Sequence, residues 1–143
     1  MGLLDNYTGV GMGPRPNWQH QRVLAHLYAN THKELWKQGL EPLTESTITD
    51  DWDDLAPDLV IFDKQNKPLS AIEITTHKET QAIMRKCYEL IARFLDTEFF
   101  IYDYEAEILY AYDRTNDKWL SSCTYTIYSN YLKNPMLAYF SLD

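Results

Sequence analysis

Basic residues are scarce in this chain. Thirteen Lys and Arg stand against twenty-one Asp and Glu, a formal net charge of −8. Proteins that track long stretches of nucleic acid neutralise many phosphates with Lys and Arg. The charge balance therefore excludes a broad basic binding face. Cysteine is scarcer still. Cys87 and Cys123 are the only two, with no metal-ligand spacing, so reduced thiols and a cytoplasmic location are the expectation. No apolar run approaches the ~20 residues needed to span a bilayer, so no membrane partner is expected. Met1 to Pro16 has no charged start followed by an apolar stretch, and no signal peptide is predicted. Glycine is rare outside the N-terminus, where residues 1–17 hold four of the five. Pro14 and Pro16 fall in the same segment, which reads as an irregular arm. Residues 18–143 suit one domain. No internal repeat or low-complexity tract appears.

The rest of the chain is rich in core material, 45% hydrophobic and 14% aromatic. Val23, Leu24, Leu27, Tyr28, Leu35 and Trp36 recur at three-to-four spacing and predict a helix over 18–38. Asn17 is its expected N-cap and Gly39 its stop. Leu43 to Thr49 predicts a Thr-rich strand, followed by an acidic loop over 50–56. Acidic residues crowd there, with Asp50, Asp51, Asp53 and Asp54 in one run. A solvated loop is the simplest reading of that run.

A second helix is predicted from His77 or Lys78 to about Leu95. Its apolar stripe is Ile83, Cys87, Leu90, Ile91 and Phe94, and Thr76 with Glu79 would form a capping box. Strands are predicted over 98–104, 108–113 and 118–123. A short helix is expected near 127–133, then a loose end. The order of helix, strands, helix and strands predicts an α/β or α+β domain with a mixed central sheet flanked by helices. The crossover helix should make its two flanking strands parallel.

The chemistry concentrates in Leu55 to Thr76. Leu59 to Phe62 and Leu69 to Ile74 read as two apolar strands joined by Gln65-Asn66-Lys67-Pro68, a turn sequence. Each strand carries one carboxylate. Asp58 opens the first, directly after Pro57. Glu73 sits between Ile72 and Ile74 in the second. A carboxylate in an apolar strand costs several kcal/mol, by order of magnitude, unless it is paired or binds a cation. Two at matching heights on adjacent strands form a hard-oxygen site suited to Mg²⁺ or Mn²⁺. Glu45, on the preceding strand, is a further candidate ligand, although a solvated carboxylate is the simpler reading there.

These residues carry a resemblance. Pro57-Asp58, a turn, then Glu73-Ile74-Thr75 resembles the PD-(D/E)xK signature of restriction-endonuclease-like nucleases. The wider set is similar to the Uma-type endonucleases. It comprises Pro57-Asp58-Leu59-Val60, Glu73-Ile74-Thr75-Thr76, Lys86 and Glu98-Phe99-Phe100-Ile101-Tyr102-Asp103. The resemblance spans roughly Trp18 to Trp119. It implies a metal-dependent hydrolysis of DNA phosphodiesters, with Asp58 and Glu73 as ligands and the Ile74 backbone carbonyl as a third. The signature's lysine is Thr75 here, so Lys86 on the following helix is its expected substitute. Thr75 would hydrogen-bond Glu73 or a water beside the cation. Phosphodiester hydrolysis needs an activated water and stabilised charge on the phosphate, and carboxylate-held Mg²⁺ supplies both. Cutting both strands with one small domain usually calls for a symmetric pair, which adds a homodimer to the expectation.

Other readings stand beside this one. Asp58 after Pro57 suits a turn that binds backbone N–H groups, and Glu73 could pair with Lys86 or an arginine. His20, His26 and His32 recur every six residues, which scatters them around a helix and favours packing over ligation. His20 alone echoes the family, where a histidine recurs near the start of the first helix. Tyr102, Tyr104, Tyr110 and Tyr112 alternate as strand packing does. The missing lysine and the acidic charge also fit a catalytically inactive nuclease-fold protein acting as an interaction or nucleic-acid-binding subunit. An acidic mimic of nucleic acid is a third reading.

Overall fold

A computed structural model describes residues 17–51 and 55–142. The expected arm, Asn17 apart, and positions 52–54 of the acidic loop lie outside the described residues. Helix α1 runs Trp18–Lys37. The Asn17 side chain accepts the His20 N–H at 2.9 Å and caps the first turn, as its residue type predicts. Gly39 leaves the helix at φ +75°, a conformation glycine adopts without the Cβ penalty. Leu24, Leu27, Thr31 and Leu35 form the buried stripe. Trp36, expected in it, is exposed. Thr31 takes part instead, its hydroxyl donating to the Leu27 carbonyl at 2.7 Å.

Strand β1 covers only Glu41–Thr44, not the predicted 43–49. Glu45 ends it by adopting φ +53°, which turns the chain out of the pleat. Strands β2, Leu59–Phe62, and β3, Pro68–Thr75, pair antiparallel as expected. Their turn is held by the Asp63 carboxylate, which accepts the N–H groups of Gln65 and Lys67 at 2.9 Å each. A 3-10 turn, His77–Glu79, leads into α2, Thr80–Arg93. The predicted capping box does not form. The Thr76 hydroxyl is buried without a partner among the described residues, and the Thr80 hydroxyl donates to the Thr76 carbonyl at 3.0 Å. The tighter entry turns the Thr76 side chain away from the helix N–H groups. Met84 joins Cys87, Leu90 and Ile91 on the buried face.

Strands β4, Glu98–Asp103, β5, Ile108–Asp113, and β6, Lys118–Ser122, complete a six-stranded sheet in the order β1-β2-β3-β4-β5-β6. Only β3 and β4 are parallel, with Glu73 opposite Ile101 and Thr75 opposite Asp103. The α2 crossover imposes that geometry. Leu59, Ile61, Ile72, Ile74, Phe100 and Leu109 pack under α1 on one face. Ala71, Phe99 and Ile101 pack under α2 on the other.

The C-terminal segment is neither helical over 127–133 nor loose. The Glu98 carboxylate accepts the Ser129 hydroxyl and the Asn130 N–H at 2.7 Å each. These bonds fix a bend where a helix was expected. Beyond it a 3-10 turn, Met136–Tyr139, buries Met136, Tyr139 and the following Phe140 against the α1 side. The Phe140 ring stacks on Tyr102 at 4.1 Å. No helix among the described residues is long and apolar enough to cross a membrane.

Candidate active site

Strand alternation decides which side chains meet. Ile72 and Ile74 enter the core under α1, so Glu73 and Thr75 face the α2 side. Continuing the β2–β3 register by one pair sets Asp58 opposite Glu73, because Leu59 lies opposite Ile72. The two residues interlock. The Asp58 N–H donates to Glu73 Oε1 at 3.2 Å, and Asp58 Oδ2 accepts the Ile74 N–H at 2.7 Å. They open onto a cleft of about 490 Å³. Asn17, His20, Ile74, Thr75, Thr76, Lys78, Lys86 and Tyr104 also line it.

The electrostatics are those of two carboxylates in too small a space. Burial pushes the Glu73 carboxyl up to about 8, and the nearby Asp58 charge adds to the shift. Lys86 and the Asp58 N–H oppose it. Like charges this close do not ionise together without a counter-charge. Three partners can supply relief: a shared proton, a protein cation or a bound metal ion.

His20 is the protein cation at hand. Its Nε2 lies 3.2 Å from Asp58 Oδ2, with both side chains largely buried. The Asp58 bond raises the His20 pKa while burial opposes it, and Glu45 and the Ile74 carbonyl add smaller upward effects. Nδ1 of the same ring is buried without a hydrogen-bond partner among the described residues. Six-residue spacing argued for a packing histidine. The missed signal was the N-cap, since a residue three positions past Asn17 stands in the first turn of α1, where that turn meets the cleft.

Lys86 lines the cleft from α2, and its charge is felt by Glu73. It forms no ion pair among the described residues, so the Lys–Glu pairing weighed from sequence is not made. Arg85, its neighbour, does not line the cleft. Thr75 is buried, and its hydroxyl donates weakly to the Thr76 carbonyl at 3.4 Å rather than to Glu73. Glu45 is not brought into the cleft. Its N–H donates to the Asp58 carbonyl at 2.9 Å, but its side chain lines a neighbouring groove with Gln21, Leu24 and Tyr28.

The donor set fits a hard divalent cation. Two carboxylates with mutual repulsion and a neighbouring backbone carbonyl are oxygen donors of the kind Mg²⁺ and Mn²⁺ take. Among the described residues no group of three or more His, Cys, Asp or Glu is disposed to hold a metal. Any cation here would complete its shell with backbone oxygen and water, which Mg²⁺ commonly retains.

No family model matches the chain, and no curated protein matches it. Among solved structures, the chain is similar to that of "a putative nuclease belonging to DUF820" from Anabaena variabilis ATCC 29413. The TM-score is 0.60 at 14% identity, covering 87% of this chain and 76% of that one. At that identity the likeness shows the fold, a single nuclease-like α/β domain built on a mixed sheet.

Proposed function

We propose that this chain is a metal-dependent endonuclease of the PD-(D/E)xK type, hydrolysing DNA phosphodiesters at the Asp58–Glu73 cleft. The observation that carries the reading is the interlocked carboxylate pair at the mouth of a nuclease-like sheet. Asp58, Glu73 and the Ile74 carbonyl would hold Mg²⁺ or Mn²⁺. When bound, such a cation lowers the pKa of water and neutralises charge on the phosphate. The chain's own groups do the rest. The Ile74 N–H and His20 fix the Asp58 carboxylate, and such outer partners orient ligands and tune them. Lys86, which lines the cleft and makes no ion pair among the described residues, is a donor available to the phosphate as negative charge develops on its oxygens. Cutting both strands with one small domain usually calls for two such sites related by symmetry, so the reading includes a homodimer.

Calorimetric titration of Mg²⁺ and Mn²⁺ into wild type and Asp58→Ala tests the site. Binding in wild type and none in the variant is expected, with cleavage of duplex DNA following the same pattern. Equal binding in both, or none in either, overturns the reading.

Thr75 in place of the signature's lysine favours a second reading, a binding subunit that has lost catalysis. That protein would bind DNA or a protein partner and cleave nothing with Mg²⁺, Mn²⁺ or Co²⁺.

A further inference from the structure

Asp103 ends β4 as a wholly buried carboxylate, and every oxygen on it is committed. Oδ1 accepts the N–H groups of Glu105 and Ala106 at 3.1 and 3.0 Å. Oδ2 meets His77 Nδ1 at 2.6 Å. A buried carboxylate with two N–H donors on one oxygen acts as an acceptor, so Nδ1 of His77 is the donor. The backbone of His77 is held too, its N–H donating to Glu105 Oε1 at 2.9 Å. Yet the ring is 67% exposed. The imidazole is therefore pinned at Nδ1 and at its own backbone while Nε2 is left outward.

Its location explains what that arrangement serves. Thr76 and Lys78, on either side of His77 in the chain, both line the cleft, as does Tyr104 after Asp103. Thr75 and Asp103 are register partners, tied further by the Tyr104 N–H to the Thr75 carbonyl at 3.1 Å. His77 thus stands on the rim of the carboxylate cleft, in the 3-10 turn that follows the strand carrying Glu73. Four residue steps of extended chain separate the two, roughly 13 Å at strand rise. That is too far for His77 to touch the phosphate being cut. Duplex DNA presents a phosphate about every 3.4 Å of rise on each strand, so a neighbouring phosphate falls within reach.

We infer that His77, oriented by Asp103, is a substrate-contacting residue that holds a non-scissile DNA phosphate at the rim of the cleft. In the complex the ring takes up a proton from solvent, so that Nδ1 donates to Asp103 and Nε2 to a phosphate oxygen. The charged groups around it are Asp103 at the end of β4, Glu105 from the β4–β5 turn, and Lys78 and Glu79 from its own turn. Lys78 is the cation among them and adds to the same contact. In a chain this acidic, a few fixed donors beside the cleft must do what a basic face does elsewhere. The inference rests on the nuclease reading for its ligand, but not on cleavage occurring.

Fluorescence anisotropy of a short labelled DNA duplex tests it. The full chain is titrated across a salt series, with Ca²⁺, a hard oxygen-seeking cation, present to neutralise the carboxylate pair. His77→Gln is expected to weaken affinity about tenfold, as loss of a hydrogen bond to a charged group does. The slope of log K against log salt should flatten by about 0.9, the share of one phosphate contact. Unchanged affinity and slope overturn the inference. So does weaker binding with an unchanged slope, which would mark the dyad as only a tie between two turns; a thermal melt keeps the assay below unfolding. The same samples with Mg²⁺ separate the two proposals. Wild type that cuts, with His77→Gln matching it in affinity and slope, sinks this inference alone. Wild type that binds, with the flattened slope in His77→Gln, but never cuts sinks the catalytic reading alone. Wild type that does not bind the duplex overturns both.

Discussion

Asp58 and Glu73 are clamped to each other's strand through backbone N–H groups, against the repulsion of their charges. The Asp58 N–H reaches Glu73 Oε1 at 3.2 Å, while the N–H following Glu73 reaches Asp58 Oδ2 at 2.7 Å. Each carboxylate is thus positioned by the other's main chain. The pair depends on the β2–β3 register, and a one-residue slip would send one carboxylate into the core under α1.

Neutral isosteres should separate charge from shape. Asp58→Asn and Glu73→Gln each keep an oxygen to accept the clamping N–H. Both are expected to abolish divalent-ion binding measured by calorimetry. Circular dichroism should show an intact fold. Glu73→Gln should melt no lower than wild type without metal, because it replaces a buried carboxyl whose ionised form the Asp58 charge repels. A variant that still binds Mg²⁺ as wild type does would remove that residue from the ligand set.

Lys86→Met and Arg85→Met form a matched pair on adjacent helix positions. Turnover in Lys86→Met should fall by about 10²-fold, as for loss of a strong electrostatic donor, with ion affinity unchanged. Arg85→Met should cleave at the wild-type rate. The opposite ranking would show that the helix phase does not select the catalytic cation.

The metal-free protein should lose stability as pH rises. The Glu73 pKa stands near 8 in the fold against 4.5 ordinarily, so between those values the native state holds more protons than the unfolded chain. Stability therefore falls through that window. His20, also raised, acts in the same direction: its contribution is full below 6.5 and lost as pH rises through the folded value. Urea unfolding in EDTA should give a lower midpoint near pH 8 than near pH 5. Glu73→Gln should flatten most of that difference, while His20 and Glu98, the latter raised by burial, leave a remainder. Saturating Mg²⁺ should flatten it in wild type as well. An unchanged slope in Glu73→Gln would show that the pair does not share its charge as described.

Phe140→Ala should destabilise the domain by about 3 kcal/mol or more, the usual cost of deleting a buried aromatic ring. The ring is buried, stacks on Tyr102 and packs under α1. A loss within experimental error in urea melts would mean that the C-terminal segment is peripheral to the core.

Much of this protein was legible in the sequence because the deciding forces were local. Asn17 and Gly39 bounded α1 through capping chemistry and left-handed freedom. Alternation around Glu73 chose its face, and the length of the β3–β4 crossover required parallel strands. The Asp58–Glu73 pair followed from those patterns. What tertiary structure alone decided lay in long-range contacts. His20 meets Asp58 across 38 positions, a relation that no helical period contains. Glu98 reaches 31 positions ahead to Ser129 and replaces an expected helix with a bend. Asp103 and His77 become a dyad only because the parallel register sets the end of β4 beside the chain leaving β3. Glu45 reaches Asp58 through its backbone N–H, yet its left-handed conformation ends β1 there and the residue lines the next groove instead of the cleft. Local preference specified the elements and one carboxylate on each strand. The packing of helix ends and strand ends against one another chose the company those carboxylates keep.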